Sequence, residues 1–279
     1  MTRMLIALTA AAAASAAWGQ DNESQPKNRL AWKLEQGAVL RMSWKTKLLQ
    51  NSSIGGKPLP KTDSILVIRA TLTVAETPEE GPAVCDLKIG SYELKGIYQG
   101  SEVDVLFEEG EFKSAKGLLN SAEVKKAMEP PLRLTLSPQG EFKAQDQTRL
   151  AQIFSGDGIW FGPRLPTKSV LVGDTWEETL QTPQSKARGG PSFTVHRKLE
   201  SVDTGVARIV TDEEKEFEQM GIKMKFRITS ADSFSMGKGY FVKSKSTVAA
   251  GGSGEVQGQE VVISAESTIE LEVTKDTND

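Results

Sequence analysis

The chain has one cysteine, Cys85, and one histidine, His196. A single cysteine excludes an intramolecular disulfide, and one histidine with one cysteine cannot build a typical zinc shell. The lone histidine has no G-x-S-x-G serine to serve, so a hydrolase triad has no parts to work with. Aromatic residues make up 6% and the formal net charge is -3. Neither supplies a base-stacking surface or an electrostatic case for binding nucleic acid or an anionic membrane. No phosphate loop of the G-x-x-x-x-G-K-[ST] or G-x-G-x-x-G type is present. Thr211-Asp212-Glu213-Glu214-Lys215-Glu216 is a charge run without the spacing of a calcium loop, and reads as a solvated strand end or hairpin. Carboxylate pairs such as Asp86 with Glu93 are too common to assign a glycosidase. No catalytic residue, cofactor site or metal site is assigned, and the chain reads as a non-enzyme.

What the chain does have is alternation. Ile222, Met224, Phe226 and Ile228 take one face of a segment, and Lys223, Lys225 and Arg227 take the other. Val261, Ile263, Ala265, Ile269, Leu271 and Val273 repeat the pattern against Glu266, Glu270 and Glu272. Period 2 is the signature of a β-strand with one dry face and one wet face. Cys85 alternates with Ala83, Leu87 and Ile89 and reads as a small buried hydrophobe. His196 reads as a surface residue on a strand whose drier face, Phe193, Val195 and Leu199, is interrupted by Arg197.

The N-terminus reads as an export signal. Arg3 is the positive start, Met4–Ala14 the apolar stretch, and Ala17-Trp18-Gly19 a small-x-small cleavage site. Residues 1–19 are therefore expected to be removed, leaving an exported protein, periplasmic or extracellular, that starts near Gln20. No later apolar stretch reaches the length of a spanning helix, so no stable membrane insertion is expected.

Residues 20–28 read as a polar, disordered leader. Residues 29–154 read as a first β half, opening with a short strand at Leu30, Trp32 and Leu34. Asn51–Thr62 reads as a loop, and two short helices are expected within Ser114–Met128 and Gln145–Phe154. Residues 155–167 form a Gly/Pro-rich crossover that carries Trp160 and Phe161 and should pack. Residues 168–275 read as a second β half, one compact unit with the first. There Val170–Leu180 is expected to be a strand, Trp176 a core anchor, and Gly251-Gly252-Ser253-Gly254 a hairpin tip. Connections are short throughout, so the strands should be antiparallel. A loose parallel between Gln36–Leu40 and Val172–Trp176 hints at internal duplication.

Two segments resemble a group of uncharacterised exported bacterial β-proteins, a domain of unknown function. They are Pro166 with Lys168–Trp176, and the strand-turn-strand Pro131–Phe142. The resemblance implies an exported all-β protein and carries over no catalytic residue. A weaker similarity of pattern is to periplasmic lipoprotein-carrier half-barrels, in which short helices plug a curved antiparallel sheet.

The fold class expected is mainly β, with long antiparallel strands in a curved half-barrel or two packed sheets, and two short helices. The function expected is a binding or carrier role for a hydrophobic ligand or partner segment in the cell envelope, with no cofactor. Leu119, Leu150, Trp44 and Phe226 are the candidate ligand-facing residues. The partner would be a lipid or an envelope protein. The rival reading is a structural or interaction protein with a fully packed core and no ligand.

Overall fold

The computed structural model describes residues 27–79, 81–117, 121–146, 161–181, 192–219 and 221–276. Its strands are β1 (Val39–Ile54), β2 (Lys57–Pro58), β3 (Thr62–Glu76), β4 (Ala83–Tyr98), β5 (Ser101–Glu108), β6 (Glu111–Lys116), β7 (Leu132–Leu136) and β8 (Phe142–Ala144). They continue as β9 (Thr175–Gln181), β10 (Ser192–Asp203), β11 (Val206–Gln219), β12 (Ile222–Ser235), β13 (Tyr240–Val256) and β14 (Gln259–Lys275). One helix, α1 (Ser121–Met128), lies between β6 and β7. All pairings are antiparallel and belong to one sheet, ordered β6-β5-β4-β3-β1-β14-β13-β12-β11-β10-β9, with β2, β7 and β8 to the side. The sheet is open, not a barrel and not two packed sheets. At its centre β1 pairs with β14 from Leu40↔Lys275 to Ile54↔Val261.

Local chemistry explains the meander. Several hairpins close on two residues that both have positive φ, such as Thr204-Gly205 (46° and 78°) and Gln257-Gly258 (52° and 77°). That is the turn whose twist matches the strands it joins, and glycine at its second position costs no steric strain. Register shifts at Arg69/Ala70, Val74/Glu76, Leu199/Ser201 and Ser233/Phe234 add bulges, which bend a sheet.

The bend lets one sheet face enclose a core. Phe161 is its hub, edge-on to Trp44 at 5.9 Å and to Trp32 at 6.4 Å, and 5.1 Å from Phe142. Leu30, Trp32, Phe161 and Leu165 are all buried. They lie on extended segments pinned by main-chain hydrogen bonds, Trp32 N to Pro138 O (2.7 Å), Lys33 N to Gly239 O (2.9 Å) and Leu165 N to Gln139 O (2.9 Å). The crossover is packed at Phe161, as its aromatic content implies; Trp160 lies outside the described residues.

Several expectations need correction. Leu30–Leu34 is extended but joins no ladder, because its main chain bonds to loops. Asn51–Thr62 is not a loop: β1 runs on to Ile54, turns at Gly55-Gly56 and returns through β2. Residues 114–116 are strand rather than helix. The tight turn after β5 carries the chain into β6 as far as Gly117, where φ is 77°. One helix is described where two are expected. Gln145 and Asp146 are not helical, and the rest of the second expected helix lies outside the described residues. Val170 forms an isolated bridge with Asn28, and Leu171–Asp174 is a turn, closed by Leu171 N donating to Asp174 Oδ2 (2.8 Å), so the strand there starts at Thr175. Gly251–Gly254 lies inside β13, not at a hairpin tip.

Candidate functional site

The core face of the sheet falls into two zones. Towards one end, side chains such as Leu72, Leu87, Leu134, Phe234 and Leu271 are excluded from water. Towards the other, the same face continues along β1, β14, β13, β12 and β11 but is only half-buried. Register sets out its rows. Leu48 faces Ser267, which faces Val248, which faces Ile228. The next row is Gln50, Ala265, Ala250, Phe226 and Lys215, and the next Ser52, Ile263, Gly252, Met224 and Phe217. Small residues hold the middle and larger ones the flank, where Phe217 and Phe226 stack at 4.9 Å and 24°. The result is a partly buried floor, apolar in its middle, that ends on exposed Gln50 at one side and on Glu213 and Lys215 of β11 at the other, and continues directly from a solid core.

Glycine shapes this floor. A Cβ on Gly254 would lie 2.2 Å from Gly221 O and 2.7 Å from Ile222 Cα, and one on Gly252 would lie 2.5 Å from Lys223 O. β13 and β12 therefore approach more closely than side chains at these positions would allow. That is why a glycine run sits in the middle of a strand.

A buried polar network lies beside the floor. Arg197 on β10 donates through Nε to Glu178 Oε2 on β9 (2.7 Å), and through Nη1 to Thr211 Oγ1 (3.0 Å) and Ser230 Oγ (2.9 Å). Ser230 donates to Asp232 Oδ2 (2.8 Å), and Ser244 Oγ donates to Asp232 Oδ1. All six side chains are buried, Arg197 and Asp232 at 1% exposure. Burial pushes Asp232 up to about 6; Ser244, Arg197 and Ser230 oppose the rise, and Glu178 adds to it.

At its edge, Glu213 Oε1 accepts from the His196 main-chain N (2.6 Å) and lies 2.6 Å from His196 Nδ1, while Lys215 Nζ is 2.9 Å from Oε2. Burial raises the Glu213 carboxyl, but the hydrogen bonds from Lys215 and His196 outweigh it and hold the group below its ordinary range. Burial, with Asp86 adding to it, pushes the Cys85 thiol up to about 11, which leaves it protonated and inert.

The opposite sheet face is a ladder of charges. Glu270 sits between Lys45 and Lys245 in register, with Lys245 Nζ at 2.9 Å, and Lys225 reaches Glu214 at 2.6 Å. Between these ladders Ala249, Gly251 and Ser264 leave an open trough of about 430 Å³, flanked by Lys225, Arg227 and Glu266.

The four residues singled out in the sequence are not brought together among the described residues. Trp44 is buried against Phe161 and is core. Phe226 stands on the half-buried floor. Leu119 and Leu150 lie outside the described residues. Trp176 is half-buried, packs against the core, and its indole N–H donates to Arg164 O (2.8 Å). Sequence reasoning misses Glu178, Thr211, Asp232 and Ser244. Their signals are Arg197 breaking an otherwise dry strand face and polar residues in phase with dry ones, Asp232 with Phe226 and Ile228, and Glu178 with Trp176. Among the described residues no cluster of His, Cys, Asp or Glu is arranged to hold a metal, and no helix is long and apolar enough to cross a membrane.

No family model matches the chain, and no curated protein matches it in sequence. A solved structure described as lipid–protein interactions in lipovitellin is similar at a TM-score of 0.45 and 13% identity. That match covers 88% of this chain and 26% of the lipovitellin chain, so this chain spans about a quarter of that neighbour's length.

Proposed function

We propose that the protein is an exported, non-enzymatic carrier whose half-buried floor holds the apolar part of a ligand, with an acyl chain as the chemistry that fits best. One observation carries this reading. A single sheet face passes without a break from water-free core to a partly buried apolar floor, across Leu48, Val248, Ala250 and Phe226. Burying the rest of that surface would yield roughly 25 cal/mol per Å². The small residues Ala250, Gly252 and Ala265 leave room along the middle, where a packed sheet would carry larger side chains.

One observation supports a non-enzymatic role: the single thiol is buried with a raised pKa. Export rests on the N-terminal signal pattern, and N-terminal sequencing of the secreted protein tests it: a mature start near Gln20 is the expected result.

Titration with a fluorescent polyene fatty acid tests the carrier role. Saturable binding, lost in Phe226→Asp but kept in a variant of the outer face such as Lys245→Gln, is the expected result. Absence of saturable binding, together with no added mass on the native protein in mass spectrometry, would favour the rival role of a packed interaction protein.

A further inference from the structure

The main-chain ladder between β10 and β11 joins Lys198–Asp203 to Val206–Val210 and, among the described residues, goes no further. Both strands continue beyond it, β10 back to Ser192 and β11 on to Gln219. Across this seam side chains take over. Thr211 Oγ1 donates to His196 O (3.0 Å), and Glu213 Oε1 accepts from His196 N (2.6 Å). Behind them Arg197 reaches over the seam to Thr211 on β11 and Ser230 on β12, while holding Glu178 on β9. The β9–β10 hairpin is thus held here by a side-chain network that runs to Ser244 on β13.

That network contains one cation and two carboxylates, all shielded from water. With both carboxylates ionised it carries one uncompensated buried negative charge, an arrangement with a large desolvation cost. A single proton removes it. The groups around Asp232 are Ser244 from β13, Ser230 on its own strand, Ile209 and Thr211 from β11, Arg197 from β10 and Glu178 from β9. Arg197 is the one cation among them, and Glu178 competes for it at 2.7 Å.

We propose that Glu178, Arg197 and Asp232 form a proton-operated clasp on the β10–β11 seam. It is tight when Asp232 carries a proton and loosened when Asp232 is ionised. Burial places the Asp232 transition at about 6, so the clasp closes below that pH and relaxes above it. Glu213, also at the seam, is held below its ordinary range and stays ionised through this window.

Hydrogen exchange of the full chain between pH 5 and pH 8, corrected for the intrinsic pH dependence of exchange, reads the seam directly. Amides of β10 and β11 near the seam should lose protection roughly tenfold as pH rises through 6, while those of β1 and β14 do not. Asp232→Asn, which fixes a neutral group, should abolish the response. Ser244→Ala removes a donor that favours the ionised form and should move the midpoint to higher pH, so the clasp remains testable if Asp232→Asn does not fold. His196→Gln should keep the response. An unchanged response in Asp232→Asn, an unmoved midpoint in Ser244→Ala, or loss of the response in His196→Gln overturns the proposal.

Discussion

Arg197 and Glu178 meet diagonally across neighbouring strands, Nε to Oε2 at 2.7 Å, with 2% and 6% of their side chains exposed. Because the pair is out of water, removing one partner strands the other charge. Arg197→Met should cost roughly 3–5 kcal/mol of stability, and the double variant Arg197→Met with Glu178→Leu should cost much less than the two single changes together. Urea denaturation of the four proteins measures this. Additive losses would mean the pair is not coupled.

Asp232 makes stability depend on pH with a definite sign. Its native pKa of about 6 lies above the ordinary value of 3.8. The native state therefore binds more protons than the unfolded chain between those values. Its contribution is fully present below 3.8 and lost as pH rises through 6. Asp232→Asn should accordingly raise the melting temperature at pH 8, and the gain should shrink or vanish near pH 4. A variant destabilised equally at both pH values would contradict the raised pKa.

Phe226 separates binding from stability. It is partly buried and stacked on Phe217. Phe226→Asp should abolish binding of the polyene fatty acid while lowering stability by about 1–2 kcal/mol, less than a fully buried aromatic would. Trp44→Ala, in the solid core, should do the reverse and cost roughly 3–5 kcal/mol. Thermal melts paired with ligand titrations distinguish the two.

Gly254 tests the close approach of β12 and β13. A methyl group there meets Gly221 O and Ile222 Cα, backbone atoms with no side-chain freedom to yield. Gly254→Ala should destabilise by about 1–3 kcal/mol, although alanine is ordinarily better tolerated in a strand than glycine. Gly258→Asn, at a turn position with φ of 77° and open space around it, should be nearly neutral. Denaturation midpoints of both variants decide.

The strands are legible in the sequence because alternation sustained over ten or more residues fits a half-buried strand and does not fit the 3.6-residue period of a helix. β12 and β14 fall where that pattern puts them. Glycine is the main source of error. Gly251–Gly254 has turn composition, and only cross-strand distances reveal that it serves a tight strand contact. The dry face of Leu30–Leu34 is legible, but its hydrogen-bond partners at Pro138 and Gly239 are remote and cannot be read locally. The buried network stays hidden for a related reason. Arg197 stands out, and Glu178 and Asp232 fall in phase with Trp176 and with Phe226 and Ile228, but which strands bring the three together is set by a register that cannot be read locally. Phe226 is legible as a dry-face aromatic, but whether such a face is covered depends on what packs over it.

The central pairing of β1 with β14 has a consequence for how the protein comes into being. The two strands that zip together along the middle of the sheet are separated by about 235 residues of chain, as the Arg41–Asp276 contact shows. The two parts of the sheet are joined only through β14, and the loop closed in that step is about 200 residues or more. A nascent chain lacking β14 exposes a long β1 edge with hydrogen-bonding groups unpaired, the state most open to wrong partners. Completion of the fold is therefore slow by topology and dependent on β14.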